Sequence, residues 1–148
     1  MLFKTDFITY RGIYQTIETE KLNIPTSEGR RTILSNHMPI MIPITAGVIE
    51  TANKGILSHY VINRGVLYFE DNVAEIVGDS IVDVAEIDVD LAKSEKQKYE
   101  ERIAESKDEN EIVQSKQRME IVENLLKAAE KYRQYRKVKG PSFQKEKI

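Results

Sequence analysis

The chain has 148 residues, of which 41% are hydrophobic and 31% charged, with no cysteine and two histidines. This composition excludes an intrinsically disordered chain, and no apolar run reaches the ~18 residues of a membrane-spanning helix. Without cysteine there is no disulfide and no cysteine zinc site. A net charge of −2 gives no general attraction to nucleic acid. The first residues lack the segments of a secretory signal, which predicts a chain that stays in the cytoplasm.

The composition changes near residue 87. The first 86 residues hold six of the seven glycines and are rich in Ile, Val, Thr, Tyr and Phe, whereas residues 91–137 contain neither Gly nor Pro. We therefore predict a β-rich domain over residues 1–86, a helical domain over 87–139 and a flexible tail over 140–148.

Short β-favouring runs in the first part alternate with turn signals at the spacing of a sandwich or barrel. Because no helix pattern separates them, we expect an antiparallel sheet, mixed at most. Hairpin turns are predicted at 53–55 and 70–72. Pro43 restricts its run to an edge strand or a bend. The runs are 3–10, 13–24, 40–44, 48–52, 56–63, 66–69 and 73–77.

The second part is predicted to be an antiparallel pair of helices that covers the sandwich. A polar turn over 106–110 separates them, and Gly140-Pro141 ends the second one. The second helix has a 4-3 apolar repeat, which is typical of helices that pack at a shallow angle. The apolar positions are Ile87, Leu91, Tyr99 and Ile103, widened by Ala92, and then Ile121, Leu125, Ala128, Tyr132 and Tyr135.

Four motifs, in order, resemble the epsilon subunit of F-type ATP synthases. Residues 25–29 (Pro-Thr-Ser-Glu-Gly) and 33–39 (Ile-Leu-Ser-Asn-His-Met-Pro) are similar to its acidic-Gly turn and G-I-L-P-N/G-H-x-P segment. Residues 63–73 resemble its G-G-F-x-E-V…N-x-V segment, and Ala-Glu-Ile-Asp at 85–88 matches its A-E-x-I-D junction. The resemblance covers residues 1 to about 137. It implies an α+β fold, an N-terminal antiparallel β-sandwich of about ten strands followed by a C-terminal α-helical hairpin.

The resemblance also implies a function. Such a subunit is a non-catalytic part of the central stalk, the rotor, which couples the catalytic head to the ring and restrains ATP hydrolysis. The implied partners are the gamma subunit, the c-ring or its substitute, and the beta and alpha subunits of the head. No cofactor and no nucleic acid is implied. The implied location is the cytoplasmic face of the cell membrane, peripherally and only through the complex.

The resemblance assigns a ring-facing loop to Glu28, Arg30, Arg31, Asn36 and His37. In the family an acidic residue of this loop is available for a basic ring residue. Two arginines reverse that charge here, so the local partner is expected to be acidic, phosphate-like or absent. Two solvated surface arginines are an equally good interpretation. A variant rotary ATPase, not coupled to a standard c-ring, would also account for the change.

Nucleotide-sensing members of the family carry I/L-D-x-x-R-A at the start of the first helix. Here Ile87, Asp88 and Ala92 match, but Leu91 stands where that motif has arginine. An alkyl side chain cannot neutralise phosphate charge, so we predict no ATP sensing. Asp88 and Asp90 are more simply explained by helix capping and pairing with the helix dipole.

The C-terminal end is strongly basic, since residues 124–148 hold 8 Lys and Arg against 2 Asp and Glu. The resemblance implies that Lys127, Lys131, Arg133 and Arg136 contact the catalytic head, and we expect them at the rim of the helix. An ordinary solvated face is the plain alternative. A free adaptor that binds acidic partners through this basic helix is an alternative function.

The sequence shows no pattern of a catalytic or metal site. There is no Gly-rich phosphate loop and no triad motif. His37 has neither a second histidine nor a carboxylate at ligand spacing, so we interpret it as a loop histidine hydrogen-bonded between Asn36 and Pro39, or resting on a partner. A small β-barrel enzyme is therefore the weakest of the alternatives.

Overall fold

The structure is a computed structural model that describes residues 1–139, with side chains up to Arg133. The predicted tail and its helix stop at Gly140 lie outside these residues. The strands are β1 (Phe3–Thr9), β2 (Gly12–Thr19), β3 (Lys21–Thr26), β4 (Gly29–Leu34), β5 (Ile40–Ile44), β6 (Gly47–Asn53), β7 (Ile56–Ile62), β8 (Gly65–Glu70), β9 (Val73–Gly78) and β10 (Ile81–Asp83). A 3₁₀ turn (Val84–Glu86) then leads to helices α1 (Val89–Glu105) and α2 (Glu109–Lys139).

The strands form two five-stranded sheets that face each other across one core. Sheet A has the order β2-β1-β9-β8-β5, and sheet B has the order β10-β7-β6-β3-β4. Neighbouring strands pair antiparallel, except that β1 and β9 are parallel. The predicted α+β fold, a sandwich followed by a helical hairpin, is confirmed. The division into domains at residue 86 stays a prediction.

Three strands of sheet B differ from the prediction. The run 13–24 is two strands, because the chain leaves sheet A at Thr19 and enters sheet B at Lys21. The segment treated as a loop at 29–34 is β4, and the short β10 was not predicted. In β4 only Ile33 is buried, since this strand is the outermost of sheet B. Its sequence therefore lacks the alternation of apolar and polar residues by which a half-buried strand is recognised.

The core lies between the two sheets and consists of the side chains that the strands direct inward. Phe7 stacks on Tyr60 with ring centroids 4.1 Å apart, and Phe3 meets Phe69 edge-on at 5.3 Å. Each large side chain buried here contributes about 1.5–3 kcal/mol to folding. The other fully buried members include Leu22, Ile24, Ile33, Ile49, Ile62, Leu67 and Ile76.

Both predicted hairpin turns are confirmed. The central residues of each turn have the positive φ that a tight two-residue hairpin requires, at 52° and 77° for Lys54 and Gly55 and at 50° and 59° for Asp71 and Asn72. Pro43 lies in β5, at the edge of sheet A, as expected for a residue that lacks a backbone N–H.

The helical hairpin packs on the outer face of sheet B. Ala128 and Ala129 of α2 are buried against Val61 of β7 and Val84 of the 3₁₀ turn. The predicted apolar stripe of α1 is wrong at Leu91, which is 56% exposed. Ile87 precedes the helix, so the four-residue spacing from it does not place Leu91 on the same helix face. The neighbouring Ala92 is buried instead.

Candidate partner-binding surfaces

The outer face of sheet A carries an apolar row that crosses all five strands. The strand register places one aliphatic or proline side chain of each strand beside the next, because residues paired across strands point to the same face. Ile13 is 64% exposed and Val77 is 40% exposed, since the helices lie on the other sheet. In strand order from the β5 edge, the apolar row is Pro43, Val66, Val77, Ile8 and Ile13.

A second row lies beside the first on the same face. It begins with Met41 and Tyr68, which are 62% and 43% exposed, and continues through Glu75 to Asp6. Asp6 is buried and accepts a hydrogen bond of 2.6 Å from Thr16 Oγ1. The row is therefore apolar toward the β5 edge and polar toward β1.

One end of the sandwich is fastened by the side chain of Asn72. Its Oδ1 accepts a hydrogen bond of 2.7 Å from the backbone N–H of Asn36, and its Nδ2 lies 3.2 Å from Ser35 Oγ and 3.4 Å from the carbonyl oxygen of Leu2. The φ of Asn36 is 66°, a left-handed conformation that asparagine tolerates. Asn72 thus connects the N-terminus, the loop at 35–39 and the β8–β9 turn.

His37 lies in this loop. Its Nδ1 is 2.7 Å from the carbonyl oxygen of Met38, and its ring meets Phe69 edge-on at 6.0 Å. Both contacts are local packing contacts, in agreement with the interpretation of a loop histidine. Among the described residues, no group of three or more His, Asp or Glu side chains is arranged to hold a metal ion.

The predicted ring-facing residues are not all together. Glu28 lies in the β3–β4 turn, whereas Asn36 and His37 follow the far end of β4. A six-residue strand spans about 20 Å, so these groups lie at opposite ends of the sandwich. The placement of Glu28 beside Asn36 and His37 in a single loop is therefore wrong.

Arg30 and Arg31 lie in β4 rather than in a loop. Because side chains alternate along a strand, the two arginines point to opposite faces of sheet B. Arg30 reaches across β3, donating to both the side-chain and backbone oxygens of Asn23 and, at 2.6 Å, to the carbonyl oxygen of Val48. The two arginines therefore do not form one ring-facing pair.

The residues of the degenerate nucleotide motif have structural contacts. Asp88 caps α1, since its Oδ1 accepts a hydrogen bond of 3.1 Å from the N–H of Leu91. Ile87 and Ala92 are buried. The capping interpretation of Asp88 is confirmed, whereas the absence of ATP sensing stays a prediction.

Arg133 is half-buried and reaches back to the junction between sandwich and helices. Its Nη2 donates to the carbonyl oxygen of Val84 at 3.1 Å and also to that of Ile87. The expectation that Arg133 lies at the rim is therefore wrong. Lys127 and Lys131 are exposed, and they line a cleft between α2 and Gly47 of β6. The side chain of Arg136 lies outside the described residues.

A buried histidine under α2 was not recognised from the sequence. His59 is 2% exposed, its Nε2 is 2.9 Å from Glu50 Oε2, and its ring stacks on Tyr132 with centroids 4.1 Å apart. Ser58 to Ile62 are all buried, although a strand buried on one face shows alternation. In the sequence, the consecutive apolar residues Tyr60, Val61 and Ile62 were the available signal that both faces of β7 are covered.

A polar network at the junction was also not recognised. Tyr14 donates a hydrogen bond of 2.5 Å to Glu86 Oε2 and accepts one of 3.0 Å from the N–H of Asp83. Gln15 donates to Asp83 Oδ2 at 3.2 Å and accepts from the hydroxyl of Tyr60 at 2.9 Å. Burial, and then the hydrogen bond to the Glu86 carboxylate, raise the pKa of Tyr14 well above its ordinary value. The network ties β2 to the 3₁₀ turn.

Within residues 1–139, neither helix has a stretch long and apolar enough to span a bilayer.

Comparisons with known proteins identify the family. The family described as "ATP synthase, Delta/Epsilon chain, beta-sandwich domain" matches residues 2–84. The ATP synthase epsilon chain of Lactobacillus delbrueckii subsp. bulgaricus is 30% identical over 113 residues, or 74% of this chain and 77% of the relative. That of Lactobacillus helveticus is 26% identical with the same coverage.

A solved structure has the same fold. One chain of the Euglena gracilis mitochondrial ATP synthase, solved with its OSCP, F1 and c-ring, superposes with a TM-score of 0.66 at 22% identity. The superposition covers 86% of this chain and 81% of that chain. The family match covers more than half of this chain, and a relative is 30% identical over most of both chains. This chain therefore belongs to the ATP synthase epsilon chain family.

Proposed function

We propose that this chain is a central-stalk subunit of a rotary ATP synthase, without a catalytic site of its own, and that it binds the gamma subunit through the outer face of sheet A. The observation that carries the proposal is the apolar row from Pro43 to Ile13, which crosses the whole sheet and is exposed at Pro43, Val77 and Ile13. Contiguous exposed apolar surface marks interaction sites, and covering it yields roughly 25 cal/mol per Å².

The other partner contacts follow from where the remaining residues lie. The loop of Asn36 and His37, with Leu34 and Met38 exposed beside it, forms one end of the sandwich, which we assign to the ring. Asn72 supports this assignment because it holds the loop in a fixed conformation. The chain then reaches the membrane surface only through the complex, as a peripheral protein.

The gamma contact is tested by placing a charge in the apolar row. Val77→Asp and Ile13→Asp should each weaken binding to the gamma subunit of the same complex at least tenfold by calorimetry, because the carboxylate is desolvated at the interface. The matched control is Val113→Asp, which changes an exposed valine on α2. Circular dichroism checks that the variants fold. Binding of both sheet variants at wild-type affinity would contradict the proposal.

We also propose that the basic face of α2 restrains ATP hydrolysis by contacting the catalytic head. Arg133 donates hydrogen bonds to the carbonyl oxygens of Val84 and Ile87, so reversing its charge would also remove these contacts of α2. Lys127→Glu changes an exposed lysine of the same helix and tests the contact with the head, and Lys93→Glu, at an exposed lysine of α1, is the control. We expect faster hydrolysis by the assembled complex at low salt, with the difference lost at high salt. Equal rates at low salt would show a solvated face without regulatory function.

A further inference from the structure

A depression with an apolar floor and an acidic rim lies next to the apolar row on sheet A. Its volume is about 670 Å³. The floor is formed by exposed side chains of β5 and β8 together with the first residue of β9. We call this depression the acidic groove; its floor is Met41, Tyr68 and Val73, and its rim is Glu70, Asp71 and Glu75.

The rim carries three carboxylates whose charge is not compensated. In the part of the chain whose side chains are described, none of the three makes an ion pair or a side-chain hydrogen bond. The register places Lys4 beside Val73, but its Nζ is directed to Asp6, with 3.6 Å to Oδ2. A carboxylate oxygen without a partner in its own chain is available for a charge-assisted hydrogen bond to a cationic side chain of another chain.

The acidic rim is held in position before any partner binds. Asp71 occupies the tight β8–β9 turn, and the next residue, Asn72, is tied by its side chain to Asn36, Ser35 and Leu2. A carboxylate on a fixed turn loses little conformational freedom when it binds a cation, which favours affinity.

The floor is suited to the stem of a basic side chain. Arginine and lysine lay their methylene groups along apolar surface while the charged group reaches polar partners. The exposed ring of Tyr68 offers a face for a cation, and the rim offers carboxylate oxygens. An entirely apolar ligand would bury the rim unpaired, which is costly.

We infer that the acidic groove receives a basic side chain, an arginine or a lysine, from the same polypeptide that covers the apolar row. This inference rests on the proposed function, in which that polypeptide is the gamma subunit. The groove is continuous with the row, because Met41 and Tyr68 lie two residues along β5 and β8 from Pro43 and Val66. One partner surface that is apolar in one half and basic in the other fits both features.

The test neutralises the rim without changing its shape. The full chain carrying Glu70→Gln, Asp71→Asn and Glu75→Gln is titrated with the gamma subunit at low and high salt. Affinity should fall about tenfold at 50 mM salt and approach that of the wild type at 500 mM, because the charge contribution is screened. The control removes the same charge from exposed helix positions, Glu101→Gln, Glu105→Gln and Glu130→Gln, and should bind as the wild type does.

The outcomes separate the two proposals. The neutralised chain could bind gamma with wild-type affinity and salt dependence while Val77→Asp loses binding. That result would refute the inference that the acidic groove receives a basic side chain, and the proposed gamma contact would stand. Tighter binding by the neutralised chain would likewise refute this inference. If Val77→Asp and Ile13→Asp also bind as the wild type does, the proposed function itself fails.

Discussion

Leu91 shows how one side chain separates this chain from a nucleotide-sensing pattern. It is exposed in the first turn of α1, where an arginine would be available to a phosphate. The carboxylate of Asp88 is already used as the helix cap, and Asp90 adds negative charge to the same turn. An anionic ligand therefore meets two acids and an alkyl group at this helix end.

We predict that the isolated chain does not bind ATP at millimolar concentration. Calorimetry is the measurement, and Leu91→Arg should strengthen any residual affinity because it restores the cation at an exposed position. Leu91→Met, which adds no charge, is the matched control. Micromolar binding by the unmodified chain would overturn this prediction.

Tyr14 predicts a dependence of stability on alkaline pH. Its pKa is raised in the folded chain, first by burial and then by the hydrogen bond to Glu86, so the folded state keeps the proton that the unfolded state releases near pH 10. Its contribution is fully present below about pH 10 and is lost as the pH rises further.

Tyr14→Phe should therefore lower stability at pH 8 and flatten the loss between pH 9 and 11. Urea unfolding at each pH measures the free energy of unfolding. Tyr10→Phe, at a largely exposed tyrosine, should retain the wild-type slope. An identical slope in wild type and Tyr14→Phe would show that the Tyr14 proton is not coupled to folding.

The elements differ in how readily the sequence reveals them. β1 and β5 to β9 were predicted within about two residues, because their apolar runs are bounded by clear turn residues such as Gly55 and Asn72. β4 was not predicted, because Arg30 and Arg31 lie in an edge strand, where few positions need an apolar side chain. Residues 35–39 lie between β4 and β5, outside the strands, whereas their contact with the ring stays a prediction. The partners of Arg30 and Arg133 depend on which backbone carbonyls the folded chain brings near, and no local pattern encodes that.

Docking of α2 should depend on Arg133. Its guanidinium donates to Val84 and Ile87, and charge-assisted hydrogen bonds of this kind contribute about 1.5–3 kcal/mol. Arg133→Met keeps an apolar stem and removes the donors, so hydrogen exchange over α2 and the 3₁₀ turn should become faster. Lys127→Met, at an exposed position of the same helix, is the control. Unchanged exchange in Arg133→Met would show that the apolar contacts alone hold the helix.

At the scale of the whole molecule, the core between the two sheets and the cluster under the helices are separate. Every buried member of that core lies between Phe3 and Ile81, whereas α2 packs on a separate cluster around Val61 and Val84. The helices therefore cover the outer face of sheet B and are not part of the core between the two sheets.

A fragment of residues 1–86 should consequently fold. Its circular dichroism should show β structure with a cooperative thermal transition, at a lower temperature than the full chain because Val61 and His59 become exposed. A fragment carrying Phe7→Ala serves as the destabilised reference. An unstructured spectrum for 1–86 would place the domain boundary elsewhere.

The position of Pro43 has a consequence for the subunit before assembly. β5 is an apolar strand, Ile-Met-Ile-Pro-Ile, at an open sheet edge, and such edges recruit strands from other molecules. A proline cannot donate the hydrogen bond that a further strand would need, so an uninterrupted ladder cannot form along this edge. The open edge of sheet A therefore combines an apolar strand with a residue that stops a strand of another molecule from extending the sheet along its full length.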